Sequence, residues 1–320
     1  MVTASAPGKV ILSGEHSVVY NQPALAGALD LRCQVTLKEG EPGLQIHATD
    51  LNELLIYSPA DLANVNDKKD VHKGFDNLAG AILAVTDSIE DINVDVEISS
   101  KVPIGAGLGS SAATSVAIVA AYREFLDLEF DREMISRQAF EAEKIAHGTP
   151  SGIDNTTASL GGLVHFQAGE SKSLIIEKEI PLLIVNTNIP RNTKQLVTAV
   201  RKRKETVGEF MDGLLENMGL LTLQIEECLL SNNIKLAGEL FDINQGLLDA
   251  IGVNHPKLSE LIYKARNAGA LGAKLTGAGG GGCLIVLTDQ NSKPEIKSVL
   301  DLPGIDIYET SISPKGVMVH

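Results

Sequence analysis

Residues 101–115 read KVPIGAGLGSSAATS, and this stretch limits what the chain can fold into more than any other. A strand-like run over 94–100 alternates apolar and polar residues and leads into three glycines, Gly105, Gly107 and Gly109. Glycine reaches positive φ without strain and lets backbone N–H groups approach a ligand closely. The segment after the glycines is rich in alanine, so the stretch predicts a strand, a tight loop and a helix.

The two serines after this loop, Ser110 and Ser111, suit the N-cap of a helix predicted over 111–126. A helix start adds unpaired N–H donors and the positive end of the helix dipole. Together these parts predict a site for a polyphosphate. The simpler alternative is a glycine turn that only connects a strand to a helix.

Neither glycine-rich run fits the better-known nucleotide motifs. The first lacks the lysine that follows the last glycine of a Walker loop. The second, over 277–282, matches G-x-G-x-x-G, but a strand is predicted after it rather than the helix of a dinucleotide-binding unit. It is either a flexible hairpin loop or a second backbone wall beside a phosphate or substrate.

Size and composition narrow the class of protein. A chain of 320 residues predicts one large or two closely packed α/β domains. The net charge of −14 argues against nucleic acid as the main partner, and an anionic substrate would need a local positive pocket. No apolar run is long enough to span a bilayer and no signal peptide is visible, so we expect a cytoplasmic protein without a membrane partner. Its three scattered cysteines are expected to be reduced, structural thiols.

The first half of the chain reads as strands followed by helices. The runs 31–39 and 44–48 predict a hairpin across the turn 40–43. Asp131 predicts the N-cap of a helix that ends before Gly148. The apolar residues of this helix share one face, at Ile135, Ala139 and Ala142. Glu143 borders that buried face, where a carboxylate is rarely found without a role.

The second half follows a different order of elements. From about residue 181 it reads strand, long helices, two strands, helix and strand, which is a split βαβ pattern of ferredoxin type. The sequence therefore predicts two domains, over 1–180 and 181–320.

Several polar residues lie at predicted loop or helix-start positions. Lys9, Glu15 and His16 are crowded between apolar runs, although each alone would be an ordinary surface residue. Asp154 is either the N-cap of a short helix or a catalytic carboxylate. Arg191 and its neighbours follow Pro190 at the start of a helix, where anions bind.

Three segments in this order, 7–16, 103–113 and 274–282, resemble the three motifs of the GHMP kinases. The resemblance covers nearly the whole chain. Within the family, the run 6–20 is most similar to the members that phosphorylate mevalonate, and the segment 148–155 is similar to them as well. One departure is Asn21, where glycine is more usual.

The resemblance implies an α+β fold with two domains: an N-terminal ribosomal-protein-like α/β domain that binds ATP and a ferredoxin-like C-terminal domain. It implies ATP-dependent phosphorylation of the 5-hydroxyl of mevalonate, in isoprenoid synthesis, and a homodimer. The implied ATP-binding residues are Pro103, Ile104, Gly105, Ala106, Gly107, Leu108, Gly109, Ser110, Ser111, Ala112 and Ala113.

The resemblance also implies individual roles. Ser111 and Glu143 would hold Mg²⁺, a hard cation that takes few protein ligands. Asp154 would accept the proton of the substrate hydroxyl or align it for in-line attack, with Lys9 beside it. The remaining residues would line the substrate pocket: Glu15, His16, Thr193, Arg191 and Gly277.

Three alternatives remain open at this point. The same machinery could phosphorylate another small alcohol or acid, because substrate choice depends on pocket residues that sequence reads poorly. A ligand sensor without catalysis would be expected to lack the catalytic lysine, aspartate or metal ligands. A dinucleotide-dependent oxidoreductase rests only on the second glycine run.

Overall fold

A computed structural model of the chain describes residues 1–67, 69–86, 88–147 and 150–320. These residues form two compact units. Unit 1 comprises residues 1–9, 28–161 and 315–320, and unit 2 comprises residues 10–27 and 162–314.

The regular elements mix strands and helices along the chain, as the sequence predicts. In chain order they are β1 (Val2–Ser13), β2 (Ala24–Glu39), β3 (Gly43–Ala48), β4 (Glu53–Tyr57), α1 (Pro59–Asn66), α2 (Asp76–Leu83), β5 (Asn93–Ser100), α3 (Ser110–Phe125), α4 (Arg132–His147), α5 (Ile153–Leu160), β6 (Leu163–Gln167), β7 (Glu170–Leu174), β8 (Ile180–Asn186), α6 (Thr193–Val207), α7 (Glu209–Leu230), α8 (Ile234–Ala250), α9 (Pro256–Asn267), β9 (Gly272–Leu275), β10 (Cys283–Leu287), α10 (Lys293–Leu300), β11 (Asp306–Ile312) and β12 (Met318–Val319).

The predicted hairpin between β2 and β3 is wrong, because β5 lies between these two strands in unit 1. β5 pairs antiparallel with β2 and parallel with β3, and β4 completes the edge beyond β3. The turn that was expected to close the hairpin bonds to the start of β5 instead. The N–H groups of Gly40 and Gly43 donate to the carbonyls of Asn93 and Ile92, each at 2.7 Å.

The helices of unit 1 pack around α3. Its alanine-rich middle is buried from 112 to 122, because small side chains let α2, α4 and α5 approach closely. The predicted cap of α4 is confirmed, since Asp131 Oδ1 accepts from the N–H groups of Glu133 and Met134. Its predicted apolar face is buried at Ile135, Ala139 and Ala142. The predicted helix end at Gly148 lies outside the described residues.

Unit 2 confirms the ferredoxin-type pattern. Its four strands run antiparallel in the order β11-β8-β10-β9, so the first and third strands of the pattern lie in the middle. The apolar face of this sheet packs on α9 through a buried core that includes Leu183, Val185, Leu284, Leu258 and Leu261. α9 is therefore held against this sheet. The packing fixes β9 and β10, and with them the two ends of the loop that joins these strands.

The predicted domain boundary at residue 180 stays a prediction, and the compact units divide the chain differently. β1 and β2 each run through the division, so residues 10–27 belong to unit 2. β6 pairs with residues 24–27 of β2, and the β6–β7 hairpin therefore belongs to unit 2 as well. The last residues, 315–320, return to unit 1, where β12 pairs with β1.

Two further predictions can be compared with the structure. All three cysteines are buried thiols that form no disulfide, as expected of structural thiols, and burial raises the pKa of Cys33 and Cys283 to about 11. Among the described residues, no helix combines the length and the apolar character that a membrane span requires.

Candidate active site

The loop after β5 takes the conformation that its glycines predict. Gly105, Gly107 and Gly109 have φ values of 74°, 77° and 73°, in the left-handed region. The predicted serine cap is wrong: Gly109 is the N-cap of α3, and the serines occupy the first two helical positions. The Ser111 hydroxyl instead accepts a hydrogen bond from the Asn77 side chain at 3.2 Å.

Strand β1 runs against this loop at close range. The N–H of Lys9 donates to the carbonyl of Leu108 at 2.8 Å. A Cβ at Gly8 would lie 2.8 Å from that same carbonyl oxygen, and a Cβ at Gly109 would lie 2.9 Å from Lys9 Cγ. Glycine is therefore required at both positions, and the close approach places Lys9 at the start of α3.

The side chain of Lys9 reaches Asp154. Lys9 Nζ lies 3.1 Å from Asp154 Oδ1, with the lysine side chain 11% exposed and the aspartate 33% exposed. The alternative of Asp154 as an N-cap is wrong, because Gly152 is the N-cap of α5 and Asp154 lies in the first turn. The structure thus pairs the two residues that sequence reasoning assigned to catalysis, and the aspartate stays accessible.

Glu143 is the second carboxylate of this cluster. It is 4% exposed, and its pKa is raised to about 7, first by burial and then by the negative charge of Asp154, while Lys9 opposes the rise. A divalent cation would offset this crowding of negative charge. The hydroxyl of Ser111 and the carboxyl of Glu143 are oxygen ligands of the kind that Mg²⁺ prefers.

The residues present fit a cation that takes only one or two of its ligands from the protein. Within the described ranges, no group of three or more His, Cys, Asp or Glu side chains is placed to hold a metal ion. Mg²⁺ is usually bound by one or two protein groups together with water and substrate phosphates. The chemistry of the site therefore suits Mg²⁺ that is carried in with a nucleotide.

A cavity of about 460 Å³ lies in unit 1 and is lined mainly by α2, which carries Asn77, and α4, which carries Glu143. It is lined by Val65, Asn66, Lys69, Asp70, Asp76, Gly80, Leu83, Ala84, Glu141, Lys144 and Ile145. Its size is within the range of small-molecule sites, and its lining mixes apolar walls with a few polar groups.

Unit 2 holds the other predicted residues, starting with a tight turn at His16. The residue has φ 62°, although it is not glycine, and is 6% exposed. Its Nε2 lies 2.9 Å from the carbonyl of Ala278, which can only accept, so Nε2 carries the ring proton and Nδ1 is an acceptor. Burial lowers the pKa of His16 below its usual value, while the bond to Ala278 and the charge of Glu15 oppose the shift.

The neighbouring Glu15 forms a fully buried ion pair with Lys274 of β9. The two side chains are 1% and 0% exposed. Lys274 also donates to the carbonyl of Leu275 at 2.7 Å and lies 5.8 Å from the centre of the Phe241 ring. Burial lowers the pKa of Lys274, and Glu15 opposes that shift.

The loop between β9 and β10 lies against Arg191. The guanidinium donates to the carbonyl of Thr276 at 3.4 Å, and its Nη1 would be 3.4 Å from a Cβ at Gly277 and 2.6 Å from one at Gly282. Arg191 and Gly277, both predicted to line the substrate pocket, are therefore neighbours. Thr193 is exposed at the first position of α6, and its neighbour Asn192 caps that helix.

Sequence reasoning missed two contacts in these clusters. Asn77 was not singled out, and nothing local marks it as the partner of Ser111. For Lys274 the sequence does carry a signal: it is the one charged residue in the strand Gly272–Leu275, all of which is buried. A lysine in such a strand requires a buried partner.

Comparison with known proteins gives consistent matches. A family model described as GHMP kinases N terminal domain matches residues 76–162, and one described as GHMP kinases C terminal matches residues 225–305. A mevalonate kinase of Pyrococcus abyssi is 39% identical, and the match covers 100% of this chain and 98% of the relative.

Solved structures agree with the sequence matches. The crystal structure of the Methanococcus jannaschii mevalonate kinase has a TM-score of 0.86 at 28% identity, covering 97% of this chain and 98% of that one. The structure of L. major mevalonate kinase in complex with R-mevalonate has a TM-score of 0.80 at 28% identity, covering 98% and 96%. The predicted α+β, two-domain kinase fold is confirmed, and the chain belongs to the GHMP kinase family.

Proposed function

We propose that this chain transfers the γ-phosphoryl group of ATP to the 5-hydroxyl of mevalonate, giving 5-phosphomevalonate for isoprenoid synthesis. The observation that carries the proposal is the contact of Lys9 with Asp154, at 3.1 Å, beside the start of the helix that follows the glycine loop. The whole-chain similarity to mevalonate kinases supports the choice of substrate.

The glycine loop of unit 1 supplies the phosphate site. With Gly105, Gly107 and Gly109 in the left-handed region, the loop can direct backbone N–H groups toward the phosphates, and the first turn of α3 adds further donors. Ala112 and Ala113 are fully buried, so they contribute through the position of the helix rather than by contact. We assign the nucleoside of ATP to the cavity on α2 and α4, because α2 carries Asn77, which bonds to Ser111, and α4 carries Glu143.

Asp154 and Lys9 act on the attacking hydroxyl. Asp154 accepts the hydrogen of the 5-hydroxyl and aligns its oxygen toward the γ-phosphorus. Lys9 stabilises the negative charge that develops on that oxygen. Carboxylates are weak bases toward alcohols, and phosphoryl transfer depends mainly on positioning and charge stabilisation, so proton transfer need not precede attack.

Ser111 and Glu143 would hold Mg²⁺. When bound, the ion neutralises charge on the β- and γ-phosphates. Asn77 donates to the Ser111 hydroxyl and so fixes its orientation.

We also propose that His16, Arg191, Thr193 and Gly277 bind the substrate, as the resemblance to the family implies. The charge of Arg191 suits the mevalonate carboxylate. Glu15 belongs to the same segment as His16, but its carboxyl is buried against Lys274, which favours a supporting role.

The other two classes of function lose support. A ligand sensor without catalysis would be expected to lack catalytic groups, yet Lys9 and Asp154 are present and in contact. The dinucleotide alternative fails on context, because β10 follows the glycine run 277–282. The homodimer and the cytoplasmic location stay predictions, and light scattering of the purified protein tests the first.

A substrate screen tests the proposal. ADP formation is measured with mevalonate, phosphomevalonate, homoserine and galactose under identical conditions. We expect turnover with mevalonate and at most background rates with the other three. An inert mevalonate and an active alternative would transfer the assignment to another substrate of the same machinery.

The Asp154→Asn variant tests the catalytic assignment. Loss of the carboxylate is expected to lower kcat by about 10²–10⁴-fold, because alignment and general-base roles contribute that much. ATP affinity, measured by titration, is expected to stay within a few-fold. Asp91→Asn, a change at an exposed carboxylate of the same unit, is the control. Near-normal turnover of Asp154→Asn would contradict the role of this residue.

A further inference from the structure

The backbone around His16 takes a form that residues other than glycine rarely adopt. Its φ is 62° and its ψ is −42°, and the N–H of Ser17 donates to the carbonyl of Glu15 at 2.7 Å. These values describe a γ-turn with positive φ, the rarer and strained form of this turn. Strained residues persist only where surrounding contacts determine them, and they cluster at functional sites.

Two contacts hold this turn, and both come from one segment of unit 2. Lys274 of β9 pairs with the side chain of Glu15, the first residue of the turn. The carbonyl of Ala278, four residues further along, bonds to the ring of His16, the central residue. The segment 274–278, which ends inside the glycine loop 277–282, therefore fixes two consecutive side chains of the turn.

The Glu15 carboxyl is in no position to reach a ligand directly. One oxygen pairs with Lys274, and the other has no hydrogen-bond partner among the described residues and no exposure to solvent. A buried carboxylate is costly unless an opposite charge compensates it, and Lys274 is that charge. The pair is thus an anchor inside unit 2.

We propose that Lys274 and Glu15 are positioning residues, whose buried ion pair holds the strained turn 15–17 and thereby fixes the imidazole of His16 for substrate binding. The expected effect on mevalonate kinetics rests on the proposed function, whereas the expected loosening of the turn does not. Without the pair, the turn relaxes and His16 loses its fixed position, while the phosphate loop of unit 1 is unaffected.

Two variants test this inference. Lys274→Met removes the ammonium at similar volume, and Glu15→Gln with Lys274→Met removes both charges, so no unpaired charge stays buried if the single variant folds poorly. Hydrogen exchange is measured in the single variant if it folds, and in the double variant in either case. We expect exchange at the Ser17 amide to accelerate by at least about tenfold, because that N–H closes the turn.

Steady-state kinetics give the second readout. We expect kcat/KM for mevalonate to fall by at least about tenfold, with KM for ATP changed by less than about threefold. Wild-type exchange at Ser17 together with wild-type kcat/KM in the double variant would overturn the proposal. If the unaltered protein does not phosphorylate mevalonate, the proposed function fails, and the exchange rate alone decides the role of the pair.

Thr222→Val is the matched control. Thr222 is a fully buried polar residue of unit 2 that bonds to the side chain of Ser13 and to the carbonyl of Met218, and among the described residues no hydrogen bond joins it to the turn 15–17. This isosteric change is expected to lower thermal stability but leave Ser17 exchange and mevalonate kinetics unchanged. Equal losses in Thr222→Val would show general loosening instead and would overturn the positioning role.

Discussion

At the scale of single residues, three ionisable side chains of unit 1 affect one another through their charges. Lys9 lies 3.1 Å from Asp154, and both influence Glu143, whose pKa is raised to about 7. One lysine cannot compensate two carboxylates in a partly buried cluster. The excess negative charge would be offset by a divalent cation, for which Ser111 is the proposed neutral oxygen ligand.

Ser111→Ala tests the metal role. Loss of the hydroxyl removes one oxygen ligand, so the Mg²⁺ concentration for half-maximal activity is expected to rise by about tenfold. Thr114→Ala, a change on the same helix at a hydroxyl that bonds to the carbonyl of Ser110, is the control. An unaltered Mg²⁺ dependence in Ser111→Ala would place the ion elsewhere.

His16 makes a prediction about pH and stability. Its pKa is lowered in the folded state by burial, so below the unfolded value of 6.5 the unfolded chain binds more protons than the folded one. The stability from neutral His16 is therefore present above pH 6.5 and is lost as pH falls toward the folded pKa.

The His16→Asn variant removes this titration, and asparagine tolerates positive φ. Urea unfolding at pH 7.5, 6.5 and 5.5 is the measurement. Between pH 6.5 and 5.5 the unaltered protein is expected to lose up to about 1 kcal/mol more than the variant. Parallel curves for the two proteins would contradict the assignment.

At the scale of elements, close backbone packing explains why the glycine loop at 105–109 needs its last glycine. Gly105 and Gly109 have nearly the same φ, but a Cβ at Gly105 would meet nothing within 4 Å, whereas one at Gly109 would meet Lys9 Cγ at 2.9 Å. The two positions therefore share backbone strain, and only Gly109 also has to admit the neighbouring lysine.

Alanine substitutions separate these two effects. Both variants are expected to lose about 1 kcal/mol of stability from the left-handed backbone. Gly109→Ala is also expected to displace Lys9 and lower kcat by about 10²-fold, because small misplacements of catalytic groups cost that much. Thermal unfolding and kcat are measured for both. Equal kcat values would contradict the importance of this contact.

Local signals account for the elements that sequence analysis predicted correctly. The Asp131 cap, the left-handed glycines and the order of the ferredoxin-type elements along the chain all depend on residues close in sequence. The insertion of β5 between β2 and β3 depends on distant pairing, and so does the Glu15–Lys274 pair, which joins residues 259 apart. The serine caps failed because Gly109 itself ends the loop, which the serines alone do not reveal.

At the scale of the whole molecule, the two units are interleaved along the chain. Unit 1 needs residues 315–320: β12 pairs with β1, and Arg32 donates to the carbonyls of Lys315 and Gly316. A single cut therefore cannot release unit 1 intact, even though sequence motifs predict two consecutive domains.

A fragment of residues 1–180 tests this arrangement. The fragment lacks β12 and the carbonyls of residues 315 and 316 that accept hydrogen bonds from Arg32. We therefore expect no cooperative thermal unfolding when it is monitored by circular dichroism. The fragment with residues 315–320 supplied as a fused segment is the comparison. A cooperative transition in the unfused fragment would contradict the division into these units.

The position of the transferred phosphate tests the central claim most directly. ³¹P NMR of the product from ATP and mevalonate distinguishes the two hydroxyls, because phosphate on the primary C5 oxygen couples to two methylene protons and phosphate on the tertiary C3 oxygen does not. We expect one equivalent of the coupled product per ADP, and its near-complete loss in Asp154→Asn. An uncoupled phosphate ester, ADP with free phosphate only, or full activity of Asp154→Asn would contradict the account.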